Sequence, residues 1–163
     1  TGYVGELPWV RPRAQVSVAA CLFGKVGSLT TAAGYMQGDK HSSPALVREG
    51  HASLVRYVLA PNPRATVDFF CHSWNPSLGT YINALYRPVL SKHEKDRMVE
   101  FMDVAKSALF SIRAALRMKM AHEKKRGRRY DLAMLLRYDL AFYQCAPPRR
   151  PRPRAVPRPR RYC

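Results

Sequence analysis

At 163 residues with 47% hydrophobic side chains, the chain has room for one domain with a core of its own. Lys and Arg number 28 against 11 Asp and Glu, a net charge of +17, which suits an anionic partner such as nucleic acid, a nucleotide diphosphate or a membrane surface without choosing among them. No run of about eighteen apolar residues and no secretory hydrophobic segment occurs, so nothing is expected to span a membrane. The four cysteines, Cys21, Cys71, Cys145 and Cys163, form no C-x-x-C pair, which leaves a zinc site unsupported. Cys21 and Cys71 fall in apolar runs and read as small buried hydrophobes.

Residues 1–14 read as an irregular lead-in containing Pro8 and Pro12. Residues 15–23, QVSVAACLF, form a first buried strand that stops at Gly24-Lys25-Val26-Gly27-Ser28. Two glycines three apart after a strand permit a tight turn and close backbone approach, and Ser28 can cap a helix over 29–36, the pattern of a phosphate loop at a helix N-terminus. A plain strand-to-helix connector fits the same residues. Leu46, Val47, Leu54, Val55 and Val58 share one side of a helix over 44–59, which Pro61-Asn62-Pro63 ends. A second strand over 65–71 runs into His72-Ser73-Trp74-Asn75, residues that either contact a base or sugar at the strand end or simply close the sheet edge.

A short helix over 78–86 and a brief strand at Val89-Leu90 come next. Ser91 and Glu94 then have the spacing of a capping box, predicting that a long helix opens there. Its stripe of Met98, Phe101, Met102, Ala105, Leu109, Ile112, Leu116 and Met120 is expected to face the sheet. Lys125-Arg126-Gly127-Arg128-Arg129 ends the helix, with cations complementing the dipole and Gly127 as the residue after the cap. Leu132 to Leu136 is an uncharged run that reads as a strand buried on both faces, with Arg137-Tyr138-Asp139 at its carboxyl end and Asp131 as a structural residue at its start. The alternation implies an α/β fold with a parallel sheet and helices on both faces. Beyond residue 145 the chain is nearly all Pro and Arg, with seven arginines after Pro148, and residues 146–163 read as a disordered tail. A basic tail for an anionic surface, a linker, and out-of-frame translation all fit that composition.

The segments VAACLFGKVGSLTT, VDFFCHSWNP and YDLAMLLRYDLAFY, in this order and with a Ser-containing helix before the third, resemble the N-terminal half of nucleotide-sugar glycosyltransferases of the GT-A kind. The resemblance covers residues 15–143, rests on three motifs ending in F-G-x-x, H-x-W-N and R-x-D, and implies a Rossmann-like, GT-A-like domain over 15–145. Carried over by position, it assigns Gly24, Lys25 and Val26 to the loop under the nucleotide, and His72, Trp74 and Asn75 to the wall of the donor site. Arg137 stands where such enzymes have the first acid of an Asp-x-Asp motif, so that Asp139 is the implied ligand for Mn²⁺ or Mg²⁺ while Arg137 reaches a phosphate. The implied donor is a nucleoside-diphosphate sugar, the acceptor is open, and the implied compartment of a complete protein is the Golgi or ER lumen. No Asp or Glu follows Asp139, so no general base is supplied from that end, and the expectation is a truncated domain that binds donor without turnover. The rival reading is a basic accessory protein that engages RNA or another acidic surface through its Arg/Pro tail.

Overall fold

The computed structural model describes residues 15–27, 43–95 and 104–143. The expected lead-in, the helix over 29–36, the N-terminal part of the Met/Leu stripe and the Pro/Arg tail lie outside the described residues.

Four parallel strands form one sheet: β1 (Val16–Phe23), β2 (Ala65–Ser73), β3 (Leu90–His93) and β4 (Leu132–Arg137), in the order β3-β2-β1-β4. β1 is central, and its successive side chains serve opposite faces. Ala20 and Leu22 join Cys71 and Leu136 under α1 (Pro44–Leu54) and α2 (Gly79–Tyr86), together with Val47, Leu54, Ile82 and Tyr86. Ala19, Cys21 and Phe70 face the long helix α3 (Val104–Arg126) through Ala115. The sheet therefore carries helices on both faces, a Rossmann-like α/β layering. Each fully buried aliphatic side chain here, such as Leu22 or Ile82, contributes on the order of 1.5–3 kcal/mol. Both central cysteines are buried thiols, and burial pushes Cys21 up to about 11 and Cys71 up to about 12.

Local chemistry explains the boundaries. β1 stops at Gly24, whose φ of 97° is one that side chains with a Cβ rarely adopt. Pro44 opens α1, where its missing N–H costs nothing, and α1 ends in a single π-helical turn (Val55–Leu59) before Pro61. α3 ends at Gly127, φ 66°, behind Lys124, Lys125 and Arg126. Asp131 clamps the start of β4 to β1: its Oδ2 accepts from the Ser17 N–H at 2.7 Å and the Ser17 hydroxyl at 2.6 Å. Those bonds hold the Asp131 carboxyl below its usual range.

Four expectations need correction. β4 is an edge strand and is not buried on both faces: Leu132 and Leu135 are 58% and 48% exposed. β2 runs on to Ser73, so His72 and Ser73 belong to the strand rather than to the loop after it. Ser91 lies within β3 and caps no helix, and Glu94 is taken by Lys92 and His72 instead of a backbone donor. On α3 the sheet-facing row is Ser107, Ser111 and Ala115, while Leu109 and Met120 are 58% and 61% exposed. The strand surface beneath is itself small, Ala19 and Cys21, so the helix sits on it through small side chains. No helix among the described residues is long and apolar enough to cross a membrane.

Candidate functional site at the carboxyl end of the sheet

The chain leaves β1 for β2 on one side and returns to β4 on the other, so the strand order reverses between β1 and β4. A crevice opens at such a switch point, outside the carboxyl ends of the strands, and it is where open α/β sheets receive ligands. Here the loop after β1 meets the segment after β4. A Cβ built on Gly24 would lie 3.6 Å from Arg137 Nη1, and one on Gly27 would lie 3.7 Å from Asp139 Oδ2. Both are ordinary contact distances, so it is the φ of Gly24 rather than space that calls for glycine here.

Arg137 forks onto Asp139: Nε donates to Oδ1 at 2.8 Å and Nη2 to Oδ2 at 2.6 Å, with Nη2 also 3.5 Å from the Lys25 carbonyl. The two side chains are 34% and 19% exposed, so the pair lies at the rim where an incoming anion would meet the guanidinium first. α1 fixes the segment that carries Asp139. Gly50 lets the helix touch the Tyr138 carbonyl, leaving no room there for a Cβ, and Ser53 Oγ accepts from the Phe142 N–H at 3.0 Å.

Behind the loop run two buried relays of the same form. The Gly24 N–H donates to Ser111 Oγ at 2.7 Å, and Ser111 Oγ lies 2.7 Å from His72 Nδ1, whose Nε2 lies 2.9 Å from Glu94 Oε1. A carboxylate can only accept, so Nε2 carries the proton and Nδ1 accepts from the Ser111 hydroxyl. In the second relay the Asn75 N–H donates to Ser73 Oγ at 3.4 Å, Ser73 Oγ lies 2.8 Å from His93 Nδ1, and His93 Nε2 lies 3.0 Å from Asn83 Oδ1. Asn75 joins the relays to the loop, its Oδ1 accepting from the Val26 N–H at 2.7 Å.

Burial lowers the pKa of His72, opposed by its bond to Glu94, and burial together with His72 lowers that of His93, so both rings are neutral near pH 7. Burial alone would raise the Glu94 carboxyl, but Lys92, 2.8 Å away, and His72 outweigh it and hold the group below its usual range. Ser111, His72 and Glu94 have the order of a hydrolase triad, yet Ser111 is fully buried and its oxygen already accepts from Gly24, so no substrate carbonyl reaches it. The chain of bonds shapes a loop.

No family model, curated protein or solved structure matches this chain. The site is therefore judged on its own geometry. The structure brings together Gly24, the Lys25 backbone, Arg137 and Asp139 at the carboxyl-end switch point. It joins Val26 to Asn75, and buries His72 and Trp74 behind the loop with their rings 4.9 Å apart and both against Phe110. Lys25 is largely buried as well. Both oxygens of Asp139 are engaged by Arg137, and among the described residues no group of three or more His, Cys, Asp or Glu side chains stands where it could hold a metal ion. In this arrangement the Asp139 carboxylate holds the Arg137 guanidinium through both of its oxygens.

Sequence reasoning missed Ser111, Glu94, His93 and Asn83. A signal for the first existed, Ser107 and Ser111 four apart and so on one helix face, the face that seats on the sheet. A cavity of about 480 Å³ opens at the opposite end of the sheet, between the Val58–Pro63 turn and Val16, Val18, Val67, Leu132 and Met134. Its lining is mostly apolar, with Asn62 and Arg64 as its polar side chains.

Proposed function

We propose that the crevice between β1 and β4 binds a phosphate-bearing nucleotide, in the form of a nucleoside-diphosphate sugar, as the donor site of a glycosyltransferase-like domain of the GT-A kind. The observation that carries this reading is the meeting of the Gly24–Gly27 loop with Arg137 at the point where strand order reverses. The two relays support it, because they use buried polar groups to hold the backbone of that loop at Gly24 and Val26. The resemblance in the three strand-end motifs supports the sugar.

Under this reading Arg137 meets the diphosphate while Asp139 holds its fork in place, and His72, Trp74 and Asn75 act from behind the loop. Mn²⁺ or Mg²⁺ at Asp139 requires Arg137 to leave the carboxylate first. No acceptor base is assigned, and the proposed activity of this chain is donor binding.

Isothermal titration of the full chain with UDP and with GDP, each with Mn²⁺ and with EDTA, tests the proposal. Binding is expected in EDTA and is expected to weaken about 10- to 100-fold in Arg137→Met, the value of one charge-assisted hydrogen-bonding group. Binding that needs Mn²⁺ and is lost in Asp139→Asn places a cation in the same crevice. A folded chain that binds neither nucleotide, or whose Arg137→Met variant binds as well as the parent, overturns the reading.

A further inference from the structure

The outward face of α3 has no role in the crevice. The helix carries seven cations and one carboxylate, Glu123. Glu123 is paired with Lys119 at 2.8 Å, and Arg126 with Asp68 at 3.1 Å. Lys106, Arg113, Arg117, Lys124 and Lys125 are all exposed. Four of them, 106, 113, 117 and 124, are spaced by seven, four and seven, so they form one row along the helix. Beside it runs an apolar row of Leu109, Leu116 and Met120, each three residues after a cation: Lys106 and Leu109, Arg113 and Leu116, Arg117 and Met120. Leu109 and Met120 are more than half exposed, and Leu116 is half-buried against the second core cluster.

A solvated helix face needs no exposed Leu and Met, and a core face needs no cations. The combination matches a surface that is anionic outside and apolar just beneath. We infer that the outer face of α3 docks on an anionic phospholipid bilayer, with the cationic row on the headgroups and Leu109 and Met120 at the acyl boundary. Interfacial helices divide their surface this way, and each Lys or Arg brought to such a membrane strengthens binding about fivefold. Charge complementarity fits an anionic bilayer and an RNA backbone alike, and the apolar row decides between them. Phosphates alone leave Leu109 and Met120 without a partner, and the aromatic residue of the helix's central turns, Phe110, is turned inward onto His72 and Trp74 and offers no base a stacking platform. This inference is independent of the nucleotide proposal.

The test is co-sedimentation of the full chain with vesicles of phosphatidylcholine alone and of phosphatidylcholine with about 30% phosphatidylserine, the anionic lipid that supplies the surface charge. Binding is expected to the second only. Arg113→Gln with Arg117→Gln is expected to weaken it about 20-fold. Leu109→Ser with Met120→Ser is expected to weaken it as well, leaving a residual that salt removes. All four positions are at the surface or beside it, and circular dichroism checks that the variants fold. Parent protein that ignores anionic vesicles overturns the inference. So does binding unchanged in both double variants, which assigns the charge effect to the arginines after Pro148. Tight binding to homopolymeric RNA that is lost with the arginines but kept with Leu109→Ser and Met120→Ser, with no vesicle binding, assigns the face to nucleic acid instead.

Discussion

The two ends of the sheet solve the same problem, tying β1 to its neighbours, by different chemistry. At the amino end the ties are exposed or half-buried: Asp131 on Ser17 of β1, and Asp68 of β2 on Tyr130 and Arg126. At the carboxyl end they centre on buried groups: Ser111, His72, Ser73 and Asn75 are all fully enclosed. Water competes for the first set, so each tie is worth little. Water is excluded from the second, so each bond made contributes modestly and each bond broken costs the full desolvation of the orphaned group. This asymmetry supports the proposal that the Gly24–Gly27 end is the working end.

The largest expected effect comes from Ser111→Ala, which leaves the Gly24 N–H and His72 Nδ1 buried without partners. The loss is about 2–3 kcal/mol, a fall in Tm of roughly 5–10 °C by calorimetry. A variant within about 0.5 kcal/mol of the parent would mean that water replaces the hydroxyl and that the carboxyl end is no more demanding than the amino end.

Next in size is a dependence on pH. The folded pKa of His72 lies below its ordinary value near 6.5, so below that pH the unfolded chain takes up a proton that the buried ring refuses. Stability is then full above about pH 6.5 and is lost as pH falls toward the folded pKa, by at most about 1.4 kcal/mol per pH unit for this histidine. His93 and His51, also lowered by burial, add slopes of the same sign. Urea midpoints between pH 5 and 8 are expected to fall with acid, and His72→Gln is expected to flatten the curve. An unchanged slope in His72→Gln would remove His72 from the account.

The smallest effect belongs to the amino end. Arg126→Ala breaks a pair whose side chains are 43% and 36% exposed, and the expected loss is within about 1 kcal/mol and shrinks in salt. A larger loss would erase the contrast between the ends.

Much of the scaffold was legible in the sequence. The β-branched run at Val16, the Phe69-Phe70 strand and the uncharged Leu132–Leu136 run fall where strands form, and their alternation with helices implied the parallel sheet. Legibility failed where a pattern has two physical uses. Ser91 and Glu94 have the spacing of a cap, yet Glu94 finds a buried imidazole, a partner sequence spacing cannot show. The Leu/Met stripe of α3 has a core period, but the strand residues beneath, Ala19 and Cys21, seat Ser111 and Ala115 instead. The crevice was half legible: Gly24, Arg137 and Asp139 were singled out from strand-end position, whereas the guanidinium fork that occupies Asp139 depends on a rotamer.

The most direct test of the working end is an amide NMR titration of the ¹⁵N-labelled full chain with UDP. The largest shifts are expected at Gly24–Gly27 and Arg137–Asp139, with Ser17, Asp68 and Asp131 at the far end unmoved. Shifts confined to the apolar cavity around Val16, Val58 and Leu132, or no shifts at saturating nucleotide, would contradict the assignment of function to the carboxyl end.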